Sequence, residues 1–223
     1  MEIKECDKYE LSGRVYGGRA GLKRGIVING ENFFVKYPDN LKIRVMKNVK
    51  LSYSNSPVCE YIGSHVYEIL KVPVHETFLG LSAGKKVVVC KDFLKKGEQL
   101  DEFGKIKNSS FTDAFIDSSG NISNGQGTDL GETLYTIRNS YILKKFPKME
   151  KHFWDMFIVD ALIGNPDRNT SNWGIIKELD GVGRIAPVYD NGNCLHNKFD
   201  DEKFCMLMKD ETALKNDAYN GIN

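Results

Sequence analysis

The apolar positions of the chain change period partway along, and that change divides it. Early on, the Gly-rich stretch GRVYGGRAGLKRG gives way to two apolar runs, IVING and ENFFVKYP. Asn29-Gly30 between them tolerates positive φ at both residues, so the pattern predicts a β-hairpin behind a Gly-rich loop. Ser56-Pro57 then opens a helix of about three turns, with Val58, Tyr61, Ile62, Val66 and Ile69 on one face at helical spacing. VHETFLGL and KKVVVCKDFL read as two further strands joined at Ser82-Ala83-Gly84. Residues 1–95 thus form a small β-rich lobe with one helix.

From residue 96 to 223 the β-branched runs thin out and SSGNISNGQGTD reads as an exposed loop. The strongest helix starts at Pro147, turns Phe153, Trp154, Phe157, Ile158, Ala161 and Leu162 inward, and stops at Gly164. It runs straight into the polar loop of IGNPDRNTSNWGII. WGII and RIAPVYD are short strands around KELDGVG, whose Asp-Gly pair signals a turn. With Ile176 opposite Ile185, Asn172 falls opposite Tyr189 and beside Asp190. The fold class is α+β, a β-rich lobe followed by a mainly helical one that carries a β-hairpin.

Composition narrows the partners. At 223 residues and 41% hydrophobic content the chain can bury a substantial core as one domain or two lobes. Thirty-one basic against thirty acidic side chains leave a net charge of +1, so no overall field points to nucleic acid or to a membrane surface. The five cysteines are scattered, without a CxxC pair, which fits a reducing cytoplasm. The polar N-terminus MEIKECDKYE has no apolar signal region, and no stretch approaches membrane-spanning length. Signal-free export remains compatible with that reading.

The candidate chemistry gathers in the polar loop. Asp167 and Asn172 are five apart, and the hairpin returns Asp190 to them. Asn172 and Asp190 offer hard oxygens of the kind Mg²⁺ shares with phosphates, and Asp167 could take a proton from an attacking hydroxyl. Lys36, on a strand just after the Gly-rich loop, could grip phosphates while the helix carboxylate of Glu60 steadies it. Gly18, Arg19, Ala20 and Gly21 could bring backbone N–H groups close to phosphate, with Lys23 adding charge. Each piece alone has a plainer reading: a Gly-rich turn, a solvated lysine, a surface glutamate, a polar loop, an Asp-Asn-Gly turn. Their order along the chain favours the joint one.

In FFVKYP, SYSNSPVCEYIGSHV, ETFLG, VVVCKDF, FWDMFIVDALIGNPDRNTSNWG and IAPVYDNGNCL the sequence resembles the HipA-like Ser/Thr kinases, most closely a short branch of them, across roughly residues 14–197. The resemblance implies a two-lobed kinase fold with ATP between the lobes and a protein hydroxyl as acceptor. It implies Asp167 as catalytic base, Lys36 on phosphate, and Asn172 and Asp190 on Mg²⁺. The segment from Cys90 through Asp92 to Phe93 looks like the interlobe hinge, whose main chain would meet adenine. Asn169 stands where many relatives have a nucleotide- or substrate-contacting His. No Ser lies between Tyr16 and Gly25, so the loop autophosphorylation of many relatives does not transfer, and Ser12, Ser52, Ser54 and Ser56 become the substitutes. The chain ends earlier than family members do, which leaves a nucleotide-binding pseudokinase or toxin-like interaction module as the alternative. An antitoxin-like regulator follows by analogy alone.

Overall fold

The computed structural model describes residues 3–17, 22–42, 51–110, 127–178 and 181–220. Its first sheet has six strands in the spatial order β1 (Lys4–Glu5), β5 (Thr77–Ser82), β6 (Lys85–Lys91), β4 (Glu31–Lys36), β3 (Lys23–Ile28) and β2 (Glu10–Leu11). All neighbours are antiparallel except β1 and β5. Asn29 (φ 52°) and Gly30 (φ 80°) turn the chain between β3 and β4, and Ala83 (φ 48°) and Gly84 (φ 69°) do the same between β5 and β6. Positive φ at both central residues matches the right-handed twist of the flanking strands. The run KKVVVCK shows no alternation because both of its faces are covered. Val87 and Val89 pack with Ile26, Phe33 and Val35, while the other face meets α1 (Ser56–Ile69).

α1 begins with Pro57 in its first turn, but its buried face is not the one that apolar spacing selects. Ile62 and Ile69 point outward, whereas Cys59, Glu60, Gly63, Ser64 and Tyr67 are buried. The reason is that α1 lies between the sheet and the second lobe, so small and polar side chains with cross-lobe partners fill its inner stripe. A Cβ on Gly63 would lie 3.0 Å from Cys194 Sγ, and the Tyr67 hydroxyl donates to the Met156 carbonyl at 3.0 Å.

The second lobe holds β7 (Gln99–Glu102), β8 (Gly174–Glu178) and β9 (Gly181–Ile185) in one antiparallel sheet. The lobe also holds α2 (Phe103–Ser110), which packs on β7, and α3 (Leu130–Asn139), α4 (Met149–Ile163), α5 (Asp201–Lys209) and α6 (Glu211–Asn220), the last two packed on each other. Phe103, Ile137, Leu143, Met156, Trp173 and Val188 belong to its core. α4 starts two residues later than its sequence signal and ends at Gly164 in the left-handed conformation (φ 60°). Phe157, Ile158 and Leu162 are exposed on it, contrary to the periodicity reading, while Met149, Phe153, Met156, Asp160 and Ile163 face inward. Where a helix is apolar nearly all round, spacing alone cannot choose the buried stripe.

The β8–β9 register also differs from expectation. Ile175, not Ile176, pairs with Ile185, Ile176 faces Arg184, and a bulge follows. Gly183 permits it, since a Cβ there would fall 1.6 Å from the Ile176 carbonyl oxygen. Asn172 is therefore not aligned with Tyr189 by the ladder. No helix among the described residues is long and apolar enough to cross a membrane.

Candidate active site

Lys36 ends β4, directly opposite Lys23 on β3. Its Nζ donates to Glu60 Oε2 at 2.5 Å and to Asp190 Oδ1 at 2.7 Å, so one ammonium joins α1, the first sheet and the segment after β9. Burial works against that charge, but the two carboxylates outweigh it and hold Lys36 as an ammonium well above the usual lysine range. Burial likewise opposes the charge of Glu60, and the Lys36 ammonium with His75 overcomes it, keeping Glu60 ionised well below the carboxylate range. Lys36, above all, lowers Asp190 in the same way. Lys23 differs: burial and the nearby Lys36 push its ammonium down, and its Nζ donates to the Gly17 carbonyl at 2.7 Å. Two cations side by side on one ladder suit a polyanion.

Asp190 sits at φ 62°, a strained conformation for a residue with a Cβ, held by its neighbours. The Asn191 main-chain N–H donates to Glu60 Oε1 at 2.9 Å, and Asn191 Nδ2 donates to Ser64 Oγ at 3.0 Å. Asp167 lies in the loop after α4 and is exposed. Its Oδ2 accepts from Asn193 Nδ2 at 2.6 Å, and its carbonyl accepts from Asn172 Nδ2 at 2.9 Å. That second bond commits the Asn172 amide nitrogen. The Asn172 oxygen meets the Ser171 hydroxyl at 3.4 Å, a contact long enough to yield to a cation. Asn169 folds back on its own loop, where Oδ1 accepts the Ser171 N–H at 2.9 Å.

Arg168 is what brings the two segments together, a role its place in the polar loop does not reveal. Nε and Nη2 clamp the Asp160 carboxylate at 2.7 and 3.0 Å, and Nη2 also donates to Asn191 Oδ1 at 2.6 Å. Nη1 donates to the carbonyls of Asn172 (3.1 Å) and Tyr189 (2.5 Å). All five N–H groups of the guanidinium are thereby used. The side chain carries the tie that the ladder was expected to provide. The sequence singled out neither Asp160, eight residues before Arg168, nor Asn193; only their folded contacts distinguish them.

Cys90 lies inside β6, paired on both sides, and burial pushes its thiol well above its ordinary range. The amides of Lys91 and Asp92 donate to the carbonyls of Glu76 and Asn32. The Asp92 carboxylate accepts from Arg14 Nη1 at 2.5 Å and from the Tyr16 hydroxyl at 2.9 Å, which anchors the start of the Gly-rich stretch to the end of β6. Gly18, Arg19, Ala20 and Gly21 lie outside the described residues.

No protein-family model matches the chain. Among curated proteins it is similar to the serine/threonine-protein kinase CtkA of Helicobacter pylori (strain J99), with 35% identity over 188 residues, 83% of this chain and 54% of that protein. The chain thus spans about half the length of that curated relative. Among solved structures it is similar to a Helicobacter pylori proinflammatory kinase, CtkA, with a TM-score of 0.82 and 31% identity over 98% of this chain and 70% of that one. HipA of Shewanella oneidensis MR-1 is far more distant, at a TM-score of 0.44 and 14% identity over 82% of this chain and 44% of that one.

Proposed function

The chain belongs to the family of the serine/threonine-protein kinase CtkA, and on that footing we propose that it transfers the γ-phosphoryl group of ATP, with Mg²⁺, to a Ser or Thr hydroxyl of a protein. The observation that carries the proposal is the Lys36–Glu60–Asp190 ion cluster, tied through Arg168 to the loop bearing Asp167 and Asn172. Lys36 holds the nucleotide's phosphate oxygens, and Glu60 keeps its ammonium charged and aimed. Lys23 adds charge beside it, with the Gly18–Gly21 stretch supplying backbone donors. The main chain from Cys90 to Phe93 meets adenine, with its Lys91 and Asp92 amides already donating to Glu76 and Asn32. The Asp190 carboxylate and the Asn172 amide oxygen fit Mg²⁺ as hard donors. When bound, the ion neutralises charge on the phosphates.

Asp167 accepts the proton of the acceptor hydroxyl as that oxygen bonds to Pγ and the bond from Pγ to the bridging oxygen breaks, releasing ADP. Asn193 engages Oδ2, and Oδ1, which meets only a long 3.4 Å contact from Asn169 Nδ2, is the oxygen left to do so. Alignment and charge neutralisation carry most of the catalysis. Autophosphorylation would be the same reaction on the protein's own hydroxyls. Ser12, Ser52 and Ser56 are half-buried, and Ser54 is buried and requires local opening before it can react.

The test follows labelled γ-phosphoryl transfer, with Mg²⁺, to the protein itself and to a generic basic protein, comparing wild type with Asp167→Asn. Transfer should fall by about 10²–10⁴-fold, the usual contribution of a positioned general base, with ATP binding retained. Undiminished transfer in the variant would show that Asp167 is not the base. Wild-type protein that binds ATP and transfers nothing would favour a pseudokinase.

A further inference from the structure

His75 has no part in the reaction just described, yet it is 3% exposed and lies where the two lobes meet. Its main-chain N–H donates to the Val188 carbonyl at 3.0 Å, beside the Val74–Val188 bridge and two residues ahead of Asp190. Its Nε2 is 3.0 Å from Glu60 Oε1 and 3.3 Å from Ser64 Oγ. Its Nδ1 is buried without a hydrogen-bond partner. Ionised Glu60 can only accept, so Nε2 carries the hydrogen and donates it to a charged acceptor, the stronger kind of hydrogen bond.

The carboxylate is thereby divided. Oε1 takes the Asn191 N–H and His75, and Oε2 takes Lys36. Glu60, His75 and Cys90 also place one ligand atom each within 4.8 Å of one another, a grouping open to a soft cation. Two facts oppose a metal there. The Lys36 ammonium already stands 2.5 Å from Glu60, and burial keeps Cys90 in the thiol form, which is not the ligating one.

We propose that His75 is a positioning residue for phosphoryl transfer: its Nε2–H fixes Glu60 Oε1 so that Oε2 stays turned to Lys36, and its main-chain bond to Val188 keeps that corner in register with Asp190. The proposal rests on the kinase reading of the site. A Glu60 free to rotate would let Lys36 drift from the phosphates, and misplacement of about 1 Å can cost on the order of 10²-fold in rate.

The experiment compares His75→Gln with His75→Asn. A glutamine amide nitrogen reaches the position of Nε2, and an asparagine amide nitrogen stops at that of Nδ1. His75→Asn should lower kcat by roughly 30- to 100-fold while KM for ATP moves by less than about threefold, and His75→Gln should recover to within about fivefold of wild type. Equal loss in both variants, a wild-type rate in His75→Asn, or a loss confined to KM would overturn the proposal. Nitrogen NMR of the wild-type imidazole needs no variant and covers the case in which neither folds: a protonated Nε2 is expected, and a bare Nε2 overturns the proposal. Wild-type protein without transfer would sink the kinase reading by itself, and the ring measurement would still decide whether His75 donates to Glu60.

Discussion

The two sides of the proposed active site, that of Glu60 and that of Asp167, hold their charges in opposite ways. Glu60 is fully buried, with an ammonium, an imidazole and a main-chain amide all aimed at it. Asp167 is exposed, and one firm side-chain donor, Asn193, orients it. Desolvating an ion costs several kcal/mol, which only dense pairing offsets, so the Glu60 corner has to form as the lobes come together. Asp167 costs little to leave in water, and the proposed reaction uses that openness to receive a hydroxyl brought by another molecule. Arg168, next to Asp167 in sequence, belongs to the buried kind: its side chain is 9% exposed and fully bonded. The boundary between the two regimes runs between adjacent residues.

The sharpest way to break this contrast is to remove one carboxylate from each side. Glu60→Ala strands the buried Lys36 ammonium with Asp190 as its remaining partner and should cost about 3 kcal/mol or more of folding stability, read from denaturant unfolding. Asp167→Asn should unfold within about 0.5 kcal/mol of wild type although its transfer is lost. Equal destabilisation by the two would end the distinction between a folded-in side and an open one. Arg168→Lys comes next in size. It keeps the charge and loses the fork that grips Asp160, Asn191 and two carbonyls at once, so about 2 kcal/mol is expected from the charged hydrogen bonds given up. Its transfer rate should fall as well, because the segments carrying Asn172 and Asp190 are no longer tied. A wild-type rate in Arg168→Lys would mean that the ladder, not the guanidinium, aligns them.

The same division explains what was legible in the sequence. Asp167 and Asn172 share one short loop, so their closeness follows from chain spacing, and the hairpin turns at Asn29-Gly30 and Ala83-Gly84 depend on local φ preferences. Beyond the Lys36–Glu60 pair, the inner face of α1 was not legible, because Gly63 and Ser64 are buried largely against Cys194 and Asn191, more than a hundred residues away. The β8–β9 register turned on a bulge that needs Gly183, and an apolar match at Ile176 and Ile185 misses it by one residue. His75 and Arg168 carried no pattern of their own. A polar residue gains meaning from the group it faces, and for both of these that group lies on a different element, which chain spacing alone does not bring close.

The smallest expected effect concerns Asp190, which stands between the two regimes: it is paired to Lys36, yet its side chain is 36% exposed. Lys36 lowers its native pKa below the unfolded value of about 3.9. A depressed carboxylate contributes stability that is present above the unfolded pKa and is lost as pH falls through the native one. The gap in melting temperature between wild type and Asp190→Asn should therefore be constant from about pH 8 down to about pH 5 and close below about pH 4. Because water reaches this side chain, the gap should be smaller than that produced by Glu60→Ala, and salt should shrink it further. A gap that widens on acidification would mean that Lys36 does not hold Asp190 in its charged form. The ammonium would then serve Glu60 alone, and the link between the first lobe and the segment after β9 would rest on His75 and Asn191.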